Sequence, residues 1–253
     1  AKEHSLNLKT PDSLDNNEEY NFFKELEPDI VIVVAYGKII PKKFLNLSKY
    51  GFINVHASLL PKWRGAAPIQ RSIMNLDNQT GISIMKIVEK LDSGPVMHQD
   101  KIQINEKINT FDLSKILSKI AASSIINSLN KIERGDAKFK EQDHRQATYA
   151  KKISKSEGKI NWNQSARTVL AKINGLNPNP GAWFEYKKDR FKVWKAEIVN
   201  KNSEAGEIID DKILIACKEK AIKILEIQKE GKSRQSIDKF LLGNKIKKGE
   251  IIN

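Results

Sequence analysis

The sequence predicts an α/β protein in two parts: an open, mostly parallel sheet in the first half, and a small all-β unit in the second. Three observations predict it. The run "DIVIVVA" (29–35) is continuous and β-branched rather than alternating, which suits a strand buried on both faces. "GFINVHA" (51–57), "APIQRSIMNL" (67–76) and "TGISIMKIV" (80–88) give strand, helix, strand, the grammar of a parallel crossover. Beyond residue 158 the pattern changes to short β-type runs joined by turns, as in a small antiparallel barrel or sandwich.

Each further element has its own signal. Pro68 is acceptable in the first turn of the 67–76 helix. "VMHQDKIQI" (96–104) is a more polar strand, suited to a sheet edge. Apolar positions at helical spacing run from Thr110, read as an N-cap, to Ile132, and Gly135 follows as a stop. The stretch 141–158, "EQDHRQATYAKKISKSEG", is polar and aperiodic and reads as the connection. The division expected is 1–145 for the first unit, 146–158 for the linker and 159–253 for the second. In the second unit a helix at "SARTVLAKI" (165–173) precedes the β-type runs "AWFEY", "FKVWKAEIV", "GEIID", "KILIAC" and "AIKILEIQ". A short capped helix, "SIDKFLLG" (236–243), closes it.

With 253 residues the chain is long enough for two units that each bury a core. No apolar run approaches the roughly 20 residues of a membrane-spanning helix. One cysteine, Cys217, leaves no internal disulfide to form, so a reducing, cytoplasmic setting is expected. Metal-ligand Cys/His spacing is not found, and no metal is expected. The net charge of +13 divides as +3 over residues 1–150 and +10 over 151–253, which makes a polyanion such as nucleic acid a candidate partner. The alternative is lysine that simply solvates a surface.

The chemistry concentrates in "INVHASLLPKWRGAAPIQ" (53–70), whose connecting loop carries apolar residues and a cation–aromatic cluster that a plain turn does not need. Asn54 and His56 lie two apart near a strand's end and share a face. An amide that donates beside an imidazole that titrates near neutrality suits a reaction at a carbonyl. Asp92, in the loop "EKLDSGPV", is placed by the predicted topology at the same end of the sheet, where it orients the imidazole and accepts a proton. A buried structural histidine and an Asx turn are the alternatives for these residues.

That segment, followed by "TGISIMKIVEKLDSGPV", resembles the methionyl-tRNA formyltransferases, a family of the folate-dependent formyltransferase superfamily. The likeness continues through "TYAKKISKSEGKINW" and "NPGAWFEY" to "IQKEGKSRQSIDKFLLG". It implies a Rossmann-like catalytic domain, an OB-like β-barrel behind it, and formyl transfer from 10-formyltetrahydrofolate to the amino group of methionyl-initiator tRNA. By this resemblance Asn54 and His56 polarise the formyl carbonyl, and Asp92 assists proton removal from the amine. Ser58, Leu59, Leu60 and Pro61 match the folate-binding loop, and Lys62 and Arg64 become candidates for the tRNA acceptor end. Ile32, Val34 and Tyr36 are weaker pocket candidates, expected in the core rather than in contact. Trp183 and Trp194, which could stack bases, are likewise expected mostly in the core.

Against the family's pattern the chain begins after an opening strand, turn and helix, so an N-terminally incomplete catalytic domain is expected. Asn161 and Asn179 replace residues that are usually acidic and aromatic. A formyltransferase for a small amine such as glycinamide ribonucleotide is an alternative reading, and an inactive tRNA-binding fragment is another. A monomer is expected.

Overall fold

The computed structural model describes residues 2–244 and 246–252. The first half follows the order α1 (Asn17–Glu25), β1 (Val31–Val34), α2 (Lys42–Leu45), β2 (Phe52–His56), β3 (Arg64–Gly65), α3 (Pro68–Met74), β4 (Gln79–Lys86), β5 (Val96–Gln103) and α4 (Thr110–Glu133). After β6 (Tyr149–Ala150) come α5 (Ala166–Gly175), β7 (Ala182–Tyr186), β8 (Asp189–Val199), β9 (Leu214–Ala216), β10 (Ala221–Lys229), β11 (Gln235–Ser236) and α6 (Ile237–Gly243).

The first sheet has the order β1-β2-β4-β5. Only β1 and β2 are parallel; β4 runs against both β2 and β5. The expected parallel crossover is therefore corrected to a reversal. Helix α3 has seven residues and spans about 10 Å. It starts after residues 57–67, which are pinned beside the carboxyl end of β2. Such a helix cannot return the chain to the sheet's far edge, so β4 enters beyond His56, which pairs with Ser83, and runs back.

Along β2, Ile53 and Val55 face a core shared with Ile82, Ile84, Leu113 and Leu117 beneath α4. Burial of this one face holds the sheet and α4 together. Helix α4 is capped by the Asn109 side chain, which accepts from Asp112 N (2.9 Å). Thr110, the expected cap, sits one position inside and donates its hydroxyl to Gly175 O in α5 (2.6 Å).

Strand β1 lies at a sheet edge, and the expectation that it is buried on both faces is corrected: Ile32 is 36% and Val34 60% exposed. Among the described residues no strand pairs with its outer side, so half of each residue's cover is missing.

In the second unit, five antiparallel strands curl around one core that includes Trp162, Phe184, Phe191 and Phe240. Strand β10 pairs with β8 on one side and with β9 and β11 on the other. The turn "KKD" has Lys187 and Lys188 at φ 49° and 70°, the geometry of a two-residue hairpin. "GEIID" supplies isolated bridges, Glu207 to Ile251 and Ile208 to Ile215, rather than a strand. Ser165 and Ser236 cap α5 and α6 through bonds to Thr168 N and Lys239 N.

The stretch between the units is docked against the first. Strands β3 and β6 pair in parallel, and Arg71 of α3 bonds Glu157 (2.7 Å) and Lys151 O (3.0 Å). The guanidinium of Arg71 holds the Glu157 carboxyl below its ordinary range. This contribution is therefore present at neutral pH and is lost as pH falls through the carboxylate range. On the second unit's side, Asn174 donates to Glu106 O (2.8 Å), and Gly175 packs against Met74 where a Cβ would stand 2.5 Å from its Cγ.

Cys217 is buried just after β9, and burial pushes its thiol up to about 12. We expect a disulfide-exchange reagent at pH 8 to leave it unlabelled in the folded protein and to label it only at the rate of unfolding. Fast stoichiometric labelling of native protein would contradict this placement.

Candidate active site

The register across three strands builds one polar row. His56 pairs with Ser83, and Ser83 pairs with Gln99, so all three share the face opposite the α4 core. Asn54 lies on the same face. Val33 is its partner in β1, which places Ile32 and Val34 on the other face, away from Asn54 and His56. Ile32 and Val34 are thus neither core nor lining of this site, and Tyr36 is 42% exposed beyond the strand.

His56 is buried, and its Nε2 lies 2.9 Å from Trp63 O. A carbonyl only accepts, so Nε2 carries the proton and Nδ1 is left facing Asp92 Oδ2 at 3.8 Å. Asp92 does not reach this position by the predicted route. The loop 87–95 leaves β4 beside the amino end of β2, where Ile87 N bonds Phe52 O, and folds back over the sheet to bring Asp92 to His56. Asp92 sits at φ 43°, a region that aspartate tolerates better than most residues. Its Oδ2 accepts from Gly65 N (2.8 Å). The Asn54 side chain is half-buried and has no hydrogen-bond partner among the described residues.

The loop 58–62 is clamped from below by the polar row. Ser83 Oγ donates to Ser58 O (2.6 Å) and accepts from Leu60 N (3.0 Å). Gln99 Nε2 donates to Leu60 O (2.9 Å) and Ser83 Oγ (2.8 Å). Ser58 and Leu60 are buried, whereas Leu59 and Pro61 remain partly open. Sequence reasoning missed Ser83 and Gln99 because only the register shows that they lie beside His56.

Lys62 is exposed, and its Nζ lies 2.8 Å from Asp77, which also accepts from Trp63 Nε1 (2.7 Å). Arg64 is corrected: at 1% exposure it is among the largest fully buried side chains and cannot meet an RNA. It bonds Gln142 Oε1 through Nε (3.1 Å) and Nη2 (2.7 Å), and His144 Nδ1 (2.8 Å). Trp183 and Trp194 are also corrected. Both are half-buried on the outer face of the curled sheet, under the guanidinium groups of Arg190 (4.0 Å) and Arg234 (4.8 Å).

Among the described residues no group of three or more His, Cys, Asp or Glu could hold a metal ion, and no helix is long and apolar enough to cross a membrane. What the arrangement offers is an unpartnered amide, an imidazole of fixed tautomer and a carboxylate, beside a partly apolar loop. These are the elements of acyl transfer.

The match to known proteins agrees with that chemistry. Residues 2–129 match the formyl transferase family and residues 152–245 the formyl transferase C-terminal domain, so fold and site together define a formyl transferase. Methionyl-tRNA formyltransferase of Pelagibacter ubique (strain HTCC1062) is 54% identical over 254 residues, covering 100% of this chain and 82% of the relative. The Bradyrhizobium diazoefficiens enzyme of the same name is 39% identical over 98% of this chain and 81% of its own length. The chain belongs to the methionyl-tRNA formyltransferase family. Among solved structures, HypX from Aquifex aeolicus in complex with tetrahydrofolic acid shares the fold at a TM-score of 0.70 and 17% identity, over 92% of this chain and 43% of that one.

Gly65 holds two requirements at once: φ 116°, and a Cβ position 2.9 Å from Ala150 O. Gly65→Ala is expected to cost about 1–3 kcal/mol by strain and overpacking. A urea melt with an unchanged midpoint would show that the β3–β6 contact can yield.

Proposed function

We propose that this chain transfers the formyl group of 10-formyltetrahydrofolate to the α-amino group of methionine on initiator tRNA, in the cytoplasm where translation starts. The observation that carries the reading is the Asn54 amide, unpartnered among the described residues, beside a histidine whose Nε2 is held by Trp63 O and whose Nδ1 faces the Asp92 carboxylate. The folate supplies the formyl group, whose carbonyl carbon is the electrophile. Leu59 and Pro61 offer the partly open apolar surface that a flat heterocycle needs, and the buried Ser58 and Leu60 hold the loop in shape.

The Asn54 amide donates to the formyl oxygen and gains strength as negative charge develops there. His56 keeps its Nε2 proton on Trp63 O, so Nδ1 is the nitrogen that handles a proton. Asp92 stabilises the imidazolium that forms when Nδ1 takes the proton lost by the attacking amine. The new bond joins the amine nitrogen to the formyl carbon, and the bond from that carbon to the folate nitrogen breaks as the imidazolium returns its proton to the departing nitrogen.

The test is formyl transfer to methionine-charged initiator tRNA. Asn54→Ala and Asp92→Asn are each expected to lower kcat about 100-fold or more while tRNA affinity stays within about twofold. Full turnover in either variant would remove that residue from the mechanism. Binding of tRNA should weaken steeply with salt, because the +10 of residues 151–253 acts on phosphates through counterion release. A flat salt profile would assign that charge to solvation alone.

A further inference from the structure

Gln142 stands fifty positions beyond Asp92, in the polar stretch that follows the first sheet, yet it is only 8% exposed. All four of its amide bonds are used. Oε1 accepts twice from Arg64, and Nε2 donates to Asp92 O (3.0 Å) and Gly94 O (2.7 Å). A guanidinium only donates and a carbonyl only accepts, so the amide has one possible orientation, and neither a carboxylate nor a cationic side chain could serve both sides.

The arrangement fixes Asp92 from two directions. Arg64 precedes Gly65, whose N–H holds the Asp92 carboxylate, and Gln142 ties the Arg64 guanidinium to the main-chain carbonyls of Asp92 and Gly94. Asp92 lies in the left-handed region, from which an unrestrained loop residue would relax. The buried charge of Arg64 is partnered by neutral acceptors, Gln142 and His144, and among the described residues no carboxylate pairs with it. We infer that Gln142, through its bonds to Arg64 and to the Asp92 loop, is a positioning residue that sets the distance between Asp92 and His56. The inference rests on the catalytic reading of Asp92.

Gln142→Glu separates the two halves of the contact. The carboxylate keeps Arg64 and sets like dipoles against the two loop carbonyls. In single-turnover formyl transfer we expect a loss of tenfold or more in rate, with the apparent affinities for folate donor and charged tRNA within about threefold. A merely structural role would lower the melting temperature and leave the rate of folded enzyme alone. In an Asp92→Asn background the same change should cost nothing further, because residues acting through one group are not additive.

A folded Gln142→Glu enzyme with an unchanged rate overturns the inference, as do losses that multiply in the double variant. Full turnover in Asp92→Asn alone overturns the catalytic reading instead, so the two failures are distinct. If Gln142→Glu does not fold, Gln142→Asn replaces it: one methylene shorter, it reaches Arg64 or the carbonyls but not both, and the same outcomes apply.

Discussion

The site depends on the alternation of five residues, Phe52 to His56. Ile53 and Val55 must face α4, because they close the core that holds the first sheet together. Period two then leaves Asn54 and His56 no choice but the other face. A slip of one residue would bury an amide and an imidazole among leucines and isoleucines and carry Ile53 and Val55 to the polar row, so the apolar side of the strand enforces the placement of the polar side. The same rule runs across the sheet: Ile82 and Ile84 fix β4, and their alternation delivers Ser83 next to His56.

What stands on that row is a loop without regular structure, and its order comes from side chains below it. Ser83 and Gln99 satisfy Ser58 O, Leu60 N and Leu60 O, main-chain groups that would otherwise be buried without partners. Gly81 serves the same end by different means. A Cβ there would meet Asp100 O at 1.8 Å and Leu59 Cδ2 at 2.7 Å, so the absence of a side chain lets β4, β5 and the loop close on one another.

Periodicity made most of the elements legible: the strand at 52–56, the helix from 110 and the capped helices after Ser165 and Ser236 all lie where their patterns put them. Direction was not legible. Strand, helix, strand reads the same whether the second strand runs parallel or back, and only the seven-residue length of α3 favours the reversal. Asn54, His56 and Asp92 were legible as candidates, since a strand's end and a Gly-Pro loop are where such groups gather. Arg64 was misread because a Lys-Trp-Arg run resembles a surface patch, and its burial depends on Gln142, a residue 78 positions away. Trp183 and Trp194 were misread because bulk suggests core. Alternation in β7 and β8 gives the inner face to Phe184, Phe191 and Val193, and leaves the tryptophans outside under arginines.

The excess charge of the second unit follows from similar accounting. Its strands carry cross-strand pairs such as Lys223 with Glu197 (2.8 Å) and Lys229 with Asp189 (2.6 Å). Exposed pairs of this kind contribute little to stability, with a median near 0–1 kcal/mol. Even if every acidic residue of 151–253 were paired, ten positive charges would remain uncompensated. They repel one another in the folded state, a cost that a core of isoleucines and aromatics has to offset. A polyanion would turn that cost into binding energy without reading any base. The direction of such binding would be set by the seam where α5 meets α3, since Thr110, Asn174 and Gly175 fix the cationic sheet relative to the strand that carries His56.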